Sequence, residues 1–145
     1  MARIKISLIL LILAIFSVAC AGGSGGSVIG SRQSCQIVNR NGSCQGGFSR
    51  LRGTFTHQIE VTAYRRGDAV QVEGTFSTQS GVLIVRITAP DGTVTTTEIT
   101  PQSSGTVSGL ATVDSSFDDI YIPIVVEAVD GEAQDIEFSI EFWQP

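Results

Sequence analysis

Asp135-Ile136-Glu137-Phe138-Ser139-Ile140-Glu141-Phe142 decides the fold class. Ile136, Phe138, Ile140 and Phe142 fall on one side of an extended chain, and Asp135, Glu137, Ser139 and Glu141 fall on the other. Alternation with a period of two marks a strand with one face buried and one in water. The same period recurs toward the amino terminus. Ile59, Val61 and Ala63 oppose Gln58, Glu60 and Thr62. Beyond an Arg65-Arg66-Gly67-Asp68 turn, Val70, Val72, Gly74 and Phe76 oppose Gln71, Glu73 and Thr75. Val82 to Ala89 is apolar on both sides apart from Arg86, which predicts a central strand, and Pro90-Asp91-Gly92-Thr93 predicts a tight hairpin turn. Val94 to Thr100, Thr106 to Val113 and Ile120 to Val129 complete the set. Pro123 predicts an edge position or a bulge, because proline cannot donate to a ladder, and Asp130-Gly131 predicts a turn. No stretch beyond residue 20 carries a helical period. The expectation is an all-β domain, an antiparallel β-sandwich or jelly roll of seven to eight strands.

The opening of the chain follows a different logic. Arg3 and Lys5 precede Ile6 to Ala19, fourteen residues without a charge. A spanning helix needs about 20 such residues, so the run predicts a secretory signal peptide over residues 1–19, with an uncleaved signal anchor as the alternative. It ends Phe16-Ser17-Val18-Ala19-Cys20, followed by Ala21-Gly22-Gly23-Ser24-Gly25-Gly26-Ser27. This junction resembles the lipobox of bacterial lipoproteins, with Ser17 where leucine is usual. The resemblance implies a diacylglyceryl group on the Cys20 thiol, cleavage just before Cys20 and acylation of the new amino terminus, by palmitate for example. Membrane lipid would then be the first partner, and the cell envelope the location. The residue after Cys20 is not Asp, which in Gram-negative lipoproteins resembles an inner-membrane retention signal. Its absence points to the outer membrane, or to the outer leaflet of the cytoplasmic membrane where there is no other. Ordinary cleavage at Ser17-Val18-Ala19 or Ala19-Cys20-Ala21 is the competing reading. Residues 20–34 are assigned to the lipid-bearing cysteine and a flexible Gly/Ser-rich linker, and residues 35–145 to the domain.

From Cys20 the chain holds seven Arg and fourteen acids, a net charge of −7. Residues 20–66 carry six Arg and one Glu, whereas residues 67–145 carry one Arg and thirteen acids. This acidic balance does not suit nucleic acid, whose phosphates call for a basic surface. Pairing of the basic segment with the acidic body is the expected use of the asymmetry. Cys35 and Cys44 are an even pair in an exported chain and predict a disulfide, brought together by the turn chemistry of Asn39-Arg40-Asn41-Gly42.

Catalytic machinery is not legible. His57 is the only histidine and reads as a strand residue, and no Gly-x-Ser-x-Gly elbow or paired-carboxylate motif occurs, so the chain is expected not to be an enzyme. Asp114, Asp118 and Asp119 form the one cluster able to offer oxygens to Ca²⁺, against the plainer reading of a solvated acidic loop. Apart from that ion, no cofactor is expected. Tyr64, Tyr121 and Trp143 could build an aromatic platform for sugar rings, or belong to the core.

Gly81-Val82-Leu83-Ile84-Val85, Pro90-Asp91-Gly92, Tyr121 and Ile136-Glu137-Phe138-Ser139-Ile140 together resemble the bacterial pre-peptidase C-terminal domain, an accessory β-sandwich of exported proteins. The resemblance implies a non-catalytic module. The functional expectation is a lipid-anchored binding or envelope-structural module with a protein or glycan partner, and the alternative is a calcium- or carbohydrate-binding surface protein.

Overall fold

The computed structural model describes residues 25–145, so the signal peptide and Cys20 lie outside the described residues. The described chain is built of nine strands: β1 (Ser27–Ile29), β2 (Arg32–Val38), β3 (Asn41–Glu60), β4 (Ala69–Ser77), β5 (Ser80–Thr88), β6 (Val94–Ile99), β7 (Gly105–Thr112), β8 (Asp114–Ser116) and β9 (Asp119–Trp143). Every pairing between them is antiparallel. β1 and β2 lie within residues 27–38, so the described part of the stretch before Cys35 carries strand. Few apolar side chains announce this stretch; its pairing to β3 combines backbone hydrogen bonds with the Cys35–Cys44 bond and with Val28 and Ile37 packed against the core.

Two long strands hold the fold together. β3 and β9 pair from Gly42↔Phe142 to Glu60↔Tyr121 and pass through both layers of the sandwich. Between Arg52↔Glu132 and Thr54↔Glu127, β3 spends one residue, Gly53, where β9 spends four. Gly53, Asp130 and Gly131 all have positive φ there. A long strand that crosses between sheets needs such a bulged corner. Asp130-Gly131, expected as a turn between two strands, is therefore a bend within one strand. Turn and bulge demand the same left-handed backbone, so residue chemistry alone did not separate them.

The first layer orders β2-β3-β9-β4-β7 through the early half of β3 and the late half of β9. In the second, β3, β9, β5 and β6 are neighbours, using the late half of β3 and the early half of β9. Phe48, Phe76, Phe138, Ile140 and Phe142 face inward from the first, and Ile59, Leu83, Val85, Ile122, Ile124 and Val126 from the second; all are buried. The alternation of β9 read from sequence is borne out residue for residue from Ile136 to Phe142. Pro123 pairs with Gln58 on one side. On its other side it lies between the last β5 pairing, at Val125, and the first β8 pairing, at Tyr121, a local edge where no amide proton is missed.

Five of the six Arg in the basic segment pair with acids of the body. Arg32 meets Glu137, Arg40 meets Asp68, Arg50 and Arg52 share Glu132, and Arg66 meets Asp114. The basic segment is thus largely paired with the body, as expected.

Candidate functional site

The strand directions define two ends. At one, the bend end, β3 and β9 turn their corner. At the other, the loop end, lie the β2–β3 turn, the 61–68 connection, the 89–93 turn, the β8–β9 hairpin and Trp143. Hydrogen bonds join these pieces: Val61 N–H donates to Ile120 O, Gly67 N–H to Val113 O, and the Thr112 hydroxyl to Thr88 O.

Arg40 organises this end. Its Nε donates to Ala63 O at 2.9 Å, its guanidinium pairs with Asp68 at 3.0 Å, and it lies 4.9 Å over the Tyr64 ring. The buried Tyr64 hydroxyl donates to Arg40 O at 2.6 Å, and burial pushes the phenol pKa up. Asp68 also caps the Arg65 amide at 2.9 Å. Tyr64 is therefore a fastener between the β2–β3 turn and the 61–68 connection. It is not a surface platform.

The outer face of the first layer is a broad polar surface. Pairing sets Gln36, Ser43, Glu141, Glu73 and Ser108 in one row, and Ser34, Gln45, Ser139, Thr75 and Thr106 in the next. Glu73 and Glu141 stand directly opposite each other, an arrangement of like charges that costs stability. Toward the loop end this face closes on Trp143, opposite Gln71 and partly exposed. Gln36, Val38, Asn41, Ser43, Glu141 and Trp143 line a shallow groove of about 380 Å³. It offers one aromatic wall, three amide or hydroxyl groups and a carboxylate. Tyr121 sits on the outer face of the second layer, opposite Glu60, so of the two readings left open for Tyr64, Tyr121 and Trp143, the shared platform is not formed and the three occupy three environments.

The outer face of the second layer is more apolar. Val82, Ile84, Val125 and Val129 are half-buried there around the Arg86–Glu127 ion pair.

The acidic trio is not brought together as a cage. Asp114 turns toward Arg66 at 3.3 Å and accepts the Ser115 amide at 2.8 Å, while Asp118 and Asp119 lie at the hairpin tip. Among the described residues, no three His, Cys, Asp or Glu side chains converge as a metal site would require. The same tip carries Phe117, which sequence reading passed over. Its side chain is fully exposed, and its φ is +54°. Among the described residues, the other non-glycine residues with positive φ are Asn39, Asp130 and Asp135, types that tolerate it. For phenylalanine that backbone costs about 1–2 kcal/mol.

His57 lies in the core against Phe48, Phe55 and Phe138, with ring centroids 5.5, 6.4 and 4.7 Å away. Its buried Nε2 has no hydrogen-bond partner, and burial lowers its pKa to about 4. No nucleophile or acid bonds it, so it stands as the strand residue expected. Cys35 and Cys44 are bonded, directly opposite one another on β2 and β3 with Cα atoms 4.1 Å apart.

No protein-family model matches the chain, and no curated protein does either. Among solved structures, the family 11 carbohydrate-binding module of the cellulosomal cellulase Lic26A-Cel5E of Clostridium thermocellum is 11% identical, over 83% of this chain and 86% of that one, with a TM-score of 0.29. A likeness this loose fixes neither the strand topology nor a ligand.

Proposed function

We propose that the chain is a lipid-anchored, non-catalytic binding module on the extracytoplasmic side of a bacterial envelope, and that the polar face around Trp143 takes a glycan. One observation carries the reading: a half-open indole set among Gln36, Ser43, Gln71 and Glu141 on an otherwise flat, polar sheet. Sugar rings present C–H faces that stack on an indole, and hydroxyls that donate to carboxylates and exchange hydrogen bonds with amides. The Cys35–Cys44 bond supports an oxidising compartment, and the lipobox-like junction at Cys20 supports the anchor.

Trp143 is the only tryptophan, so its emission reports directly on that face. Titration with soluble neutral, acidic and N-acetylated oligosaccharides should give a saturable change with at least one class. Trp143→Ala, followed by calorimetry, should weaken that binding about tenfold, the equivalent of one stacked ring. Flat emission across the panel would remove the glycan from the proposal. The anchor is tested separately: intact mass should show lipid on Cys20, and Cys20→Ser should release the chain from membranes.

A further inference from the structure

Glu73 and Glu141 face each other across β4 and β9 on the outer surface of the first layer, and both are exposed. Like charges directly opposite destabilise a sheet, and a neutral side chain at either position would remove the repulsion. No neighbour relieves it. Among the described residues, none of the ion pairs includes Glu73 or Glu141. Arg32, the guanidinium that register sets on this face, already meets Glu137. Glu137 lies two outward rows from Glu141, about 14 Å along β9.

Two carboxylates specify only a charge. The indole beside them specifies more. Trp143 follows Glu141 by two residues on β9, so ring and carboxylate share the face about 7 Å apart along the strand. Glu73 stands diagonally across from the ring, about 7–8 Å away. Glu141 and Trp143 both line the groove, with Gln36, Asn41 and Ser43. An indole face attracts a cation, and carboxylates pair with one through charge-assisted hydrogen bonds. Amide and hydroxyl groups exchange hydrogen bonds with sugar hydroxyls.

We infer that the groove selects glycans carrying a free, protonated amine, such as glucosamine without its acetyl group, and that Glu141 and Glu73 are the specificity-determining carboxylates. The inference rests on the glycan reading of the Trp143 face. In the bound state the sugar ring stacks on the indole while its ammonium donates to the two carboxylates, which offsets the repulsion between them. An N-acetylated sugar brings only a neutral amide to the same place, and a uronate meets like charge.

The test compares glucosamine oligomers, N-acetylglucosamine oligomers of matched length and a glucuronate-bearing oligomer. Binding to the full chain is read from Trp143 emission and by calorimetry. Glucosamine oligomers should bind about tenfold tighter than the acetylated ones. This ratio should shrink as salt is added and as rising pH discharges the amine. Glu73→Gln should raise the denaturant midpoint, because the like-charge pair is gone, and should cut the ratio roughly fivefold. A glutamate with only a structural role would move the midpoint and leave the ratio alone. Equal affinity for the free-amine and acetylated oligomers, lost for both in Trp143→Ala, overturns the inference and leaves the glycan reading standing. No response to any of the three removes the glycan reading itself, and the inference with it. Oligolysine of equal charge that binds as tightly as the glucosamine oligomer shows that charge alone is read, and also overturns the inference.

Discussion

The two ends of the sandwich both pair charges but differ in what they leave in water. At the bend end, charges are paired and close backbones leave little room: Arg50, Arg52 and Gln134 all turn to Glu132, holding its carboxyl below the usual carboxylate range, chiefly through the Gln134 and Arg52 hydrogen bonds. At the loop end, where Arg40–Asp68 and Arg66–Asp114 also pair, apolar side chains face water, and one sits on a strained backbone. The first arrangement serves the fold. The second leaves stability unused, which marks the loop end as the part shaped by something other than folding.

A pair of glycines gives the sharpest test of that contrast. Gly81 and Gly92 have nearly the same φ, +85° and +86°, one at each end. A Cβ on Gly81 would crowd the Glu132 carbonyl and lie 2.8 Å from Ala133 Cα, whereas one on Gly92 would meet nothing within 4 Å. Gly81→Ala should cost about 4 kcal/mol, combining backbone strain with overpacking. Gly92→Ala should cost about 1 kcal/mol, from strain alone. Equal losses in chemical denaturation would show that the ends are not packed differently.

Beneath the bend, His57 ties stability to pH. The unfolded chain takes up a proton near the ordinary value of 6.5, and the folded chain only near about 4. In that window the unfolded state binds more protons, so stability rises with pH. The contribution is complete above 6.5 and is lost as pH falls toward 4, about 3 kcal/mol in all. His57→Leu should flatten this part of the profile. An unchanged slope would place the acid sensitivity elsewhere.

Reduction of Cys35–Cys44 should cost about 2–3 kcal/mol, read as a lower denaturant midpoint. Because the bond pins β2, hydrogen exchange should rise first in β2 and at Val38, with the bend end still protected. At the hairpin tip the sign reverses. Phe117→Asn should stabilise the Cys20→Ser chain in solution by about 1 kcal/mol, by relieving the left-handed backbone. A loss there would mean that the ring contributes to the fold.

Much of this architecture was legible in sequence. The period of two placed Ile136 to Phe142 correctly, and the imbalance of Arg and acids anticipated the ion pairs. The disulfide followed from an even cysteine pair around turn residues. Residues 27–34 were hidden because, apart from Val28 against the core, they join the sheet through backbone pairing, which leaves little trace in side-chain pattern. The site was less legible than the fold. Tyr64, Tyr121 and Trp143 went to separate environments because the partners across a sheet are set by register, which one strand's sequence does not contain. Phe117 gave no signal, since exposure and φ are properties of the folded hairpin.

The long β3–β9 ladder has a consequence in time as well as in space. It sets Gly42 opposite Phe142 and Glu60 opposite Tyr121, so the central pairing of both layers joins segments far apart in sequence. Contacts of such long sequence separation make folding slow and leave only local hairpins, such as β2–β3, able to form early. The sandwich therefore closes late: until β9 pairs with β3, the chain carries only local hairpins and no shared core.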